Sequence, residues 1–399
     1  IRLNKKGKNY IQIMELLSNE PIIPLEDHKK YREFKYQGYD YSIYYKYIVT
    51  PLCELFLNYI PEWVAPNVIT LLGLFCNIIS YSITFYYAGF NGRELIPNWV
   101  AHFASLMYMT YYYLDNLDGK QARKTGSSSA LGTFMDHCCD SVTTYLITGV
   151  IGSLVGLESV WTYGLLWCMV CFPFFTTIWE ENITRFFYLP PINGVSEGTL
   201  VTCGVISYIG FFQRPFDYSF TLFGSEIFMR DFQVGFFFSL GFTFFIITLC
   251  KVFYNYWDRR WELLSHFRVF SYIIITLFNI SWFAHDSYVC REYPRLVVLS
   301  SGLCFNQLCA RMLIKTVTKS EEFKQDCYSN NVYMFMINLA ILLKSITGTE
   351  LIDIILLFGF FLNLTSWVVF INRLTTEMAD IAGIYRFKLG KKPIAGKTG

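Results

Sequence analysis

An all-α bundle of membrane-spanning helices is the fold class this sequence predicts, and three observations predict it. Of the 399 residues, 53% are hydrophobic and 19% aromatic against only 16% charged, and the mean hydropathy of +0.34 exceeds what an ordinary soluble domain carries. Ten mostly apolar stretches follow one another, each near the length of about 20 residues that a helix needs to cross a hydrocarbon core. Lysine and arginine are shared unevenly between alternate connections, which is the pattern that orients a polytopic protein.

The ten stretches lie at 66–88, 99–118, 131–156, 159–182, 199–213, 232–256, 267–285, 294–316, 331–347 and 351–372. The fifth is short, and an aromatic-rich run from Phe216 to Phe228 could extend it. An even number of spans leaves both chain ends on one side. That side, made of the N-terminal arm, the connections after even-numbered spans and the tail, holds 27 of the 33 basic residues. The other side holds five (Arg93, Arg214, Arg230, Arg291 and Arg295), and Lys344 sits within a span, where it is expected to be paired or to snorkel. The positive-inside rule therefore predicts cytoplasmic termini. Ahead of the first span, Leu25 to Leu52 interleaves Lys29, Lys30, Arg32, Lys35 and Lys46 with Tyr31, Phe34, Tyr36, Tyr44, Tyr45 and Ile48. Such a composition suits an N-terminal helix lying in the headgroup layer. The expected division is a cytoplasmic arm over 1–65, a transmembrane region carrying the acidic motif over 66–213, and C-terminal spans with a cytoplasmic tail over 214–399.

Several chemistries drop out early. A formal charge of +2 gives no electrostatic reason to expect a nucleic-acid partner. The 12 cysteines fall mainly in apolar stretches without paired spacing, and the five histidines are scattered, so neither a zinc site nor a disulfide framework is expected. The first residue is Ile, so a missing signal peptide is uninformative.

One constellation stands out. The second span ends in Asp115-Asn116-Leu117-Asp118-Gly119-Lys120-Gln121-Ala122-Arg123, and the third begins with Gly132, Asp136 and Asp140. Asp115 and Asp118 are i,i+3 neighbours, Asp136 and Asp140 i,i+4 neighbours, so each pair shares a helix face. The short Gly- and Ser-rich turn between them, 124–131, predicts antiparallel neighbouring helices with four carboxylates facing across. Even one acidic residue at a helix centre costs about 2.5–3.5 kcal/mol on insertion scales, so the group needs a counter-charge. All-oxygen ligation favours Mg²⁺ or Mn²⁺ over zinc, and paired metals about 3.5–4 Å apart are a device of phosphoryl chemistry. Gly119, Ala122 and Gly132 keep the helix surfaces free of bulk, so a base or pyrophosphate can approach. Lys120 and Arg123 bring cations to where phosphate oxygens would lie.

At these residues the chain resembles the CDP-alcohol phosphotransferase family, whose signature is D-x2-D-G-x2-A-R-x8-G-x3-D-x3-D; every fixed position is present. Trp63 to Thr70, Asp118 to Arg123, Thr125 to Ser128, Asp136-His137, Trp179-Glu180, Leu189 to Gly194 and Glu197-Gly198 are similar to the eukaryotic choline and ethanolamine phosphotransferase branch. Cys138 departs from it, since relatives commonly carry Gly there. The resemblance implies that Asp115, Asp118, Asp136 and Asp140 hold two ions, Mg²⁺ or Mn²⁺, on a CDP pyrophosphate. It further implies that Asn67, Gly119, Lys120, Gln121, Ala122, Arg123 and Gly132 bind substrate, and that a lipid hydroxyl attacks the β-phosphorus and expels CMP. Substrates so implied are CDP-choline or CDP-ethanolamine and diacylglycerol, in the endoplasmic reticulum or a related endomembrane, with the site facing the cytoplasm and a homodimer as the assembly the family allows. For the base that takes the acceptor's proton, His137, Glu197 and Asp140 are the candidates; a metal-bound Asp140 is the poorest. Two rivals are a catalytically silent family member serving as a structural subunit, which predicts decay of the motif, and an ion-coupled transporter, which predicts acids spread near the midplane.

Overall fold

The computed structural model describes residues 21–92, 94–320, 328–347 and 351–392. The first 20 residues of the arm, Arg93 and the end of the tail, 393–399, lie outside the described residues. Among the described residues ten long helices carry the fold: α1 (Pro66–Ala88), α2 (Asn98–Lys124), α3 (Ala130–Val155), α4 (Val160–Thr184), α5 (Ser196–Phe212), α6 (Met229–Asn255), α7 (Arg260–Phe283), α8 (Pro294–Thr318), α9 (Tyr328–Thr347) and α10 (Ile352–Ala382). They coincide with the ten apolar stretches, and the protein is an all-α polytopic membrane protein. Six of them, α1, α3, α4, α6, α8 and α10, are long and apolar enough to cross a membrane on length and composition alone. Among the rest, α2 ends in the charged motif, α5 has 17 residues, and α7 and α9 contain the shorter apolar runs Phe267–Phe283 and Tyr333–Thr347.

At the centre stand α3 and α8, each with 89% of its most apolar window buried. Small residues let them approach their neighbours: a side chain at Gly302 of α8 would collide with the Tyr145 ring of α3, and one at Gly149 of α3 with the Tyr81 ring of α1. Hydrocarbon offers no hydrophobic drive between helices, so close packing and buried polar bonds must supply cohesion. The bonds are there. Asn306 of α8 donates to the Cys138 carbonyl at 3.0 Å, Asn182 of α4 to Thr316 at 3.0 Å, and Asn77 of α1 to Thr143 at 3.1 Å. Cys138 is accommodated at this seam, buried beside Asn306. The eleven described cysteines are all free. Lys344 pairs with Asp286 at 2.7 Å, and Asp353 accepts from the Val289 backbone at 3.1 Å, so these outlying charges are tied into the scaffold.

Three expectations are corrected. The arm is not one interfacial helix. It runs through a short helix (His28–Arg32), a strand β1 (Gly38–Asp40) and a wide turn (Tyr45–Val49) into a helix of eight residues (Thr50–Leu57). Gly38 lets the chain pass so close to Phe187 that a Cβ would lie 2.8 Å from that residue's own, and β1 pairs in parallel with β2 (Phe187–Leu189). Backbone pairing there outweighs helical continuation across Gly38 and Asp40. Second, the run after α5 does not lengthen it. Ser219–Leu222 (β3) and Ser225–Phe228 (β4) form an antiparallel hairpin, closed by Phe223 and Gly224 at φ 50° and 82°, the twist that two-residue hairpin turns require. Third, α2 and α3 are not packed along their lengths. From their shared turn they diverge, and α1 fills the space, packed extensively on both.

Candidate active site

The turn that joins α2 to α3 is built for abrupt reversal. Thr125 and Gly126 close α2, with Gly126 at φ 63°, and Ser129 caps α3 by accepting from the Gly132 N–H at 3.1 Å. Immediately beyond the turn the two helices present their acidic faces to each other. One carboxylate oxygen from each of Asp115, Asp136 and Asp140 lies within 4.8 Å of the others. All three side chains are half-buried, and Asp115 Oδ1 has no hydrogen-bond partner among the described residues. A buried carboxylate oxygen without a donor is costly, and a divalent cation is the group that relieves it. The donor set, oxygen only, fits a hard cation. These residues can hold a metal ion.

Asp118 sits on the same helix but is used differently. It is 5% exposed and accepts a short hydrogen bond from Thr70 of α1. Asp140 accepts a short hydrogen bond from Tyr111, one helical turn before Asp115. Thr70 entered the sequence reading only as the end of the Trp63 to Thr70 stretch, with no role given to it, and Tyr111 did not figure there. Tyr111 was findable, because its i,i+4 spacing to Asp115 puts it on the acidic face.

The glycine-bearing wall behaves as its composition implies. Arg123 folds back over Gly119, so that a Cβ there would meet its Nη1 at 3.6 Å, and Arg123 is exposed and near enough to Asp118 to interact with it electrostatically. Lys120 instead faces Glu54 at 3.7 Å. Gln121 is fully buried and donates to the carbonyls of Pro61 and Val64 at 3.0 and 3.1 Å. Its amide nitrogen holds the turn that leads into α1, while its Oε1 has no hydrogen-bond partner among the described residues. On α1, Asn67 is 8% exposed; a Cβ at Gly132 would lie 3.6 Å from its Oδ1.

His137 and Glu197 are the two proposed proton acceptors, and the fold treats them unlike one another. His137 is 5% exposed, with Phe187 of β2 stacked at 5.1 Å and Tyr36 edge-on at 6.2 Å. Its Nδ1 faces Glu181 Oε2 at 3.7 Å, and neither atom has a hydrogen-bond partner among the described residues. Glu181, 3% exposed, is a buried carboxylate that sequence reasoning missed. It stands next to the Trp179-Glu180 pair, and no spacing rule links α4 to α3. Glu197 opens α5 and accepts from the Ser42 hydroxyl at 2.7 Å, the Tyr44 N–H at 3.1 Å and the Asn193 N–H at 3.0 Å. Beside it, Asp40 accepts from Ser196 at 2.9 Å and from the Ser42 N–H at 2.8 Å. Burial raises the Asp40 carboxyl above its ordinary value, and those hydrogen bonds work against it. Glu197 and Asp40 together pin the arm to the loop before α5.

Comparison with known proteins agrees with this geometry. Residues 63–213, which contain α1 to α5 and the carboxylates, match the family model described as CDP-alcohol phosphatidyltransferase. Choline/ethanolaminephosphotransferase 2 of Arabidopsis thaliana is 31% identical over 382 residues, covering 90% of this chain and 96% of the relative. Choline/ethanolaminephosphotransferase 1 of the same plant is 27% identical over 379 residues, with 90% and 96% covered. Ethanolaminephosphotransferase 1 of Homo sapiens is 24% identical over 387 residues, with 90% and 92% covered.

Proposed function

Because the chain belongs to the CDP-alcohol phosphatidyltransferase family, we propose that it transfers phosphocholine or phosphoethanolamine from the CDP-alcohol to diacylglycerol, releasing CMP. The single observation that carries this reading is the half-buried cluster of Asp115, Asp136 and Asp140 with an unpartnered oxygen, set within the segment that matches the family. In this reading those three residues, with Asp118 beside them, hold two Mg²⁺ or Mn²⁺ ions. When bound, such ions neutralise the pyrophosphate and polarise the phosphorus under attack.

The chain's own residues do the rest. Arg123, exposed and close to Asp118, is placed to take a phosphate oxygen in a bidentate contact. Asn67 and Gly132 form the wall against which the nucleotide lies. The lipid hydroxyl attacks the β-phosphorus, the bond to the bridging oxygen breaks, and CMP leaves with that electron pair. His137 accepts the hydroxyl proton. The proton is taken at Nε2, and Glu181, facing the other ring nitrogen at 3.7 Å, favours this role, because a carboxylate there stabilises the imidazolium formed. Glu197 has both oxygens engaged, which favours a holding role over the arm. Tyr36 and Phe187 roof His137 and exclude water from the reacting hydroxyl. The site faces the cytoplasm of an endomembrane such as the endoplasmic reticulum, in keeping with the basic asymmetry of the connections.

The test is an assay of purified protein with diacylglycerol, Mg²⁺ or Mn²⁺, and CDP-choline or CDP-ethanolamine. Metal-dependent appearance of phospholipid and CMP is expected with at least one of the two. An intact, metal-loaded protein that yields no CMP from either sinks the reading in favour of a silent structural subunit.

A further inference from the structure

The end of the chain returns to the motif. Past α10, Gly383 turns at φ 66°, and residues 383–392 fold back as a small hairpin closed by the Ile384–Lys391 bridge and by the Lys392 N–H donating to the Gly383 carbonyl at 2.8 Å. At the hairpin's edge the Arg386 carbonyl accepts from Asn67 Nδ2 at 2.7 Å, across 319 residues of sequence. Nothing in the resemblance or in the acidic motif calls for this contact.

We propose that the hairpin 383–392 is part of the substrate site, a strap whose Arg386 carbonyl sets the orientation of Asn67 and thereby the affinity for the CDP-alcohol. The proposal rests on the transferase reading above. An asparagine amide offers a donor end and an acceptor end that are nearly the same shape. With Nδ2 committed to Arg386, Oδ1 must point the other way, and it does: it faces the bare helix surface at Gly132, beside the α3 carboxylates. Free of the strap, the amide rotates and its acceptor is no longer presented.

The strap is itself held. The Arg386 guanidinium donates to Asn372 Oδ1 at 2.9 Å and to Thr375 Oγ1 at 3.2 Å on α10, and Lys392 pairs with Asp380. The same end of α10 receives the arm: Glu377 accepts from the N–H groups of Ile22 and Ile23 at 2.8 Å each, and Arg32 donates to the Ile381 carbonyl at 2.8 Å. The arm from Ile22 to Arg32 and the hairpin 383–392 are therefore both held on α10, and the hairpin delivers one carbonyl to Asn67. Asn67 is the binding residue in this scheme, and Arg386, which acts through it, is a positioning residue.

Initial rates at varied CDP-choline and varied diacylglycerol test it, in the full chain, Asn67→Asp, a chain ending at Gly383, and the combination. Asn67→Asp keeps an acceptor but loses the donor. Each single change is expected to raise the CDP-choline KM about tenfold, the scale of one hydrogen bond that leaves a partner unsatisfied, with the diacylglycerol KM unchanged. The combination should be no worse than the larger single change, because both remove one contact. Losses that multiply, or a CDP-choline KM that stays put in the shortened chain, overturn the proposal. Should the shortened chain not fold, Arg386→Ala replaces it, with a rise of about threefold expected and an unchanged KM again decisive against. CDP-choline binding in the presence of Mg²⁺, read by thermal shift, keeps the two proposals separate: strap-dependent binding in a protein without turnover removes the catalytic reading and leaves the strap standing, and binding indifferent to the strap removes the strap.

Discussion

Helices α3 and α6 are 26 and 27 residues long and both strongly apolar, yet α3 is 89% buried over its most apolar window and α6 only 11%. In α3, glycine, serine and threonine recur among the apolar residues, and two of the carboxylates sit in its first three turns. In α6, phenylalanines point outward, Phe236, Phe244 and Phe232 among them. The difference teaches how one composition serves two ends. A helix that meets lipid needs only apolar bulk, because the bilayer accepts any such surface. A helix that meets other helices on all sides needs exact shapes and polar partners, and only there can charge be afforded and used.

Substitutions on the two helices can break this comparison. The largest effect is expected on α3 itself. Asp136→Asn should cut turnover by about 10³-fold or more, because a metal clamp supplies several kcal/mol to the transition state; metal titration of the variant would show weakened binding at the same time. Turnover within tenfold of the parent would remove Asp136 from the site. Next comes His137→Ala, expected to slow turnover by about 10²–10⁴-fold with CDP-alcohol binding retained. Glu181→Gln should follow it in the same direction with a smaller loss. If Glu197→Gln slows the chemical step more than His137→Ala while the arm stays bound, the proton belongs to Glu197 and the assignment made here reverses.

Stability sharpens the contrast further. Gly302→Leu, which drives a side chain into Tyr145 at the α3–α8 seam, should cost at least about 1–3 kcal/mol by overpacking and lower the thermal midpoint by several degrees. The smallest effect is expected on the lipid face: Phe244→Leu, at a side chain 58% exposed, should stay within about 0.5 kcal/mol. Thermal unfolding in one detergent compares the two, and equal shifts would erase the distinction between the helices.

Reading the sequence reached some of these residues and not others for reasons that lie in the range of the signal. Asp115, Asp136 and Asp140 were legible because helical periodicity relates residues three and four apart, and a short turn relates two helix ends. Tyr111 obeys the same rule and was within reach. Thr70, Glu181 and Arg386 were not, since each meets its partner across an interface between separate elements, where no local period operates. The arm is not one continuous helix for a similar cause: Gly38 to Asp40 found strand partners at Phe187 to Leu189, some 150 residues away.

The sequence by itself determined the order of the long apolar helices, the asymmetry of charge, and the acidic motif with its oxygen-only donor set, because each depends on composition or on spacing within one or two turns of helix. Only the tertiary structure decided that α1 separates α2 from α3, that Glu181 rather than a nearer residue faces His137, that Glu197 is engaged by the arm, and that the chain's last hairpin reaches Asn67. Those outcomes depend on which small residues let which helices approach, and close packing is a property of pairs of surfaces that neither strand of sequence carries alone.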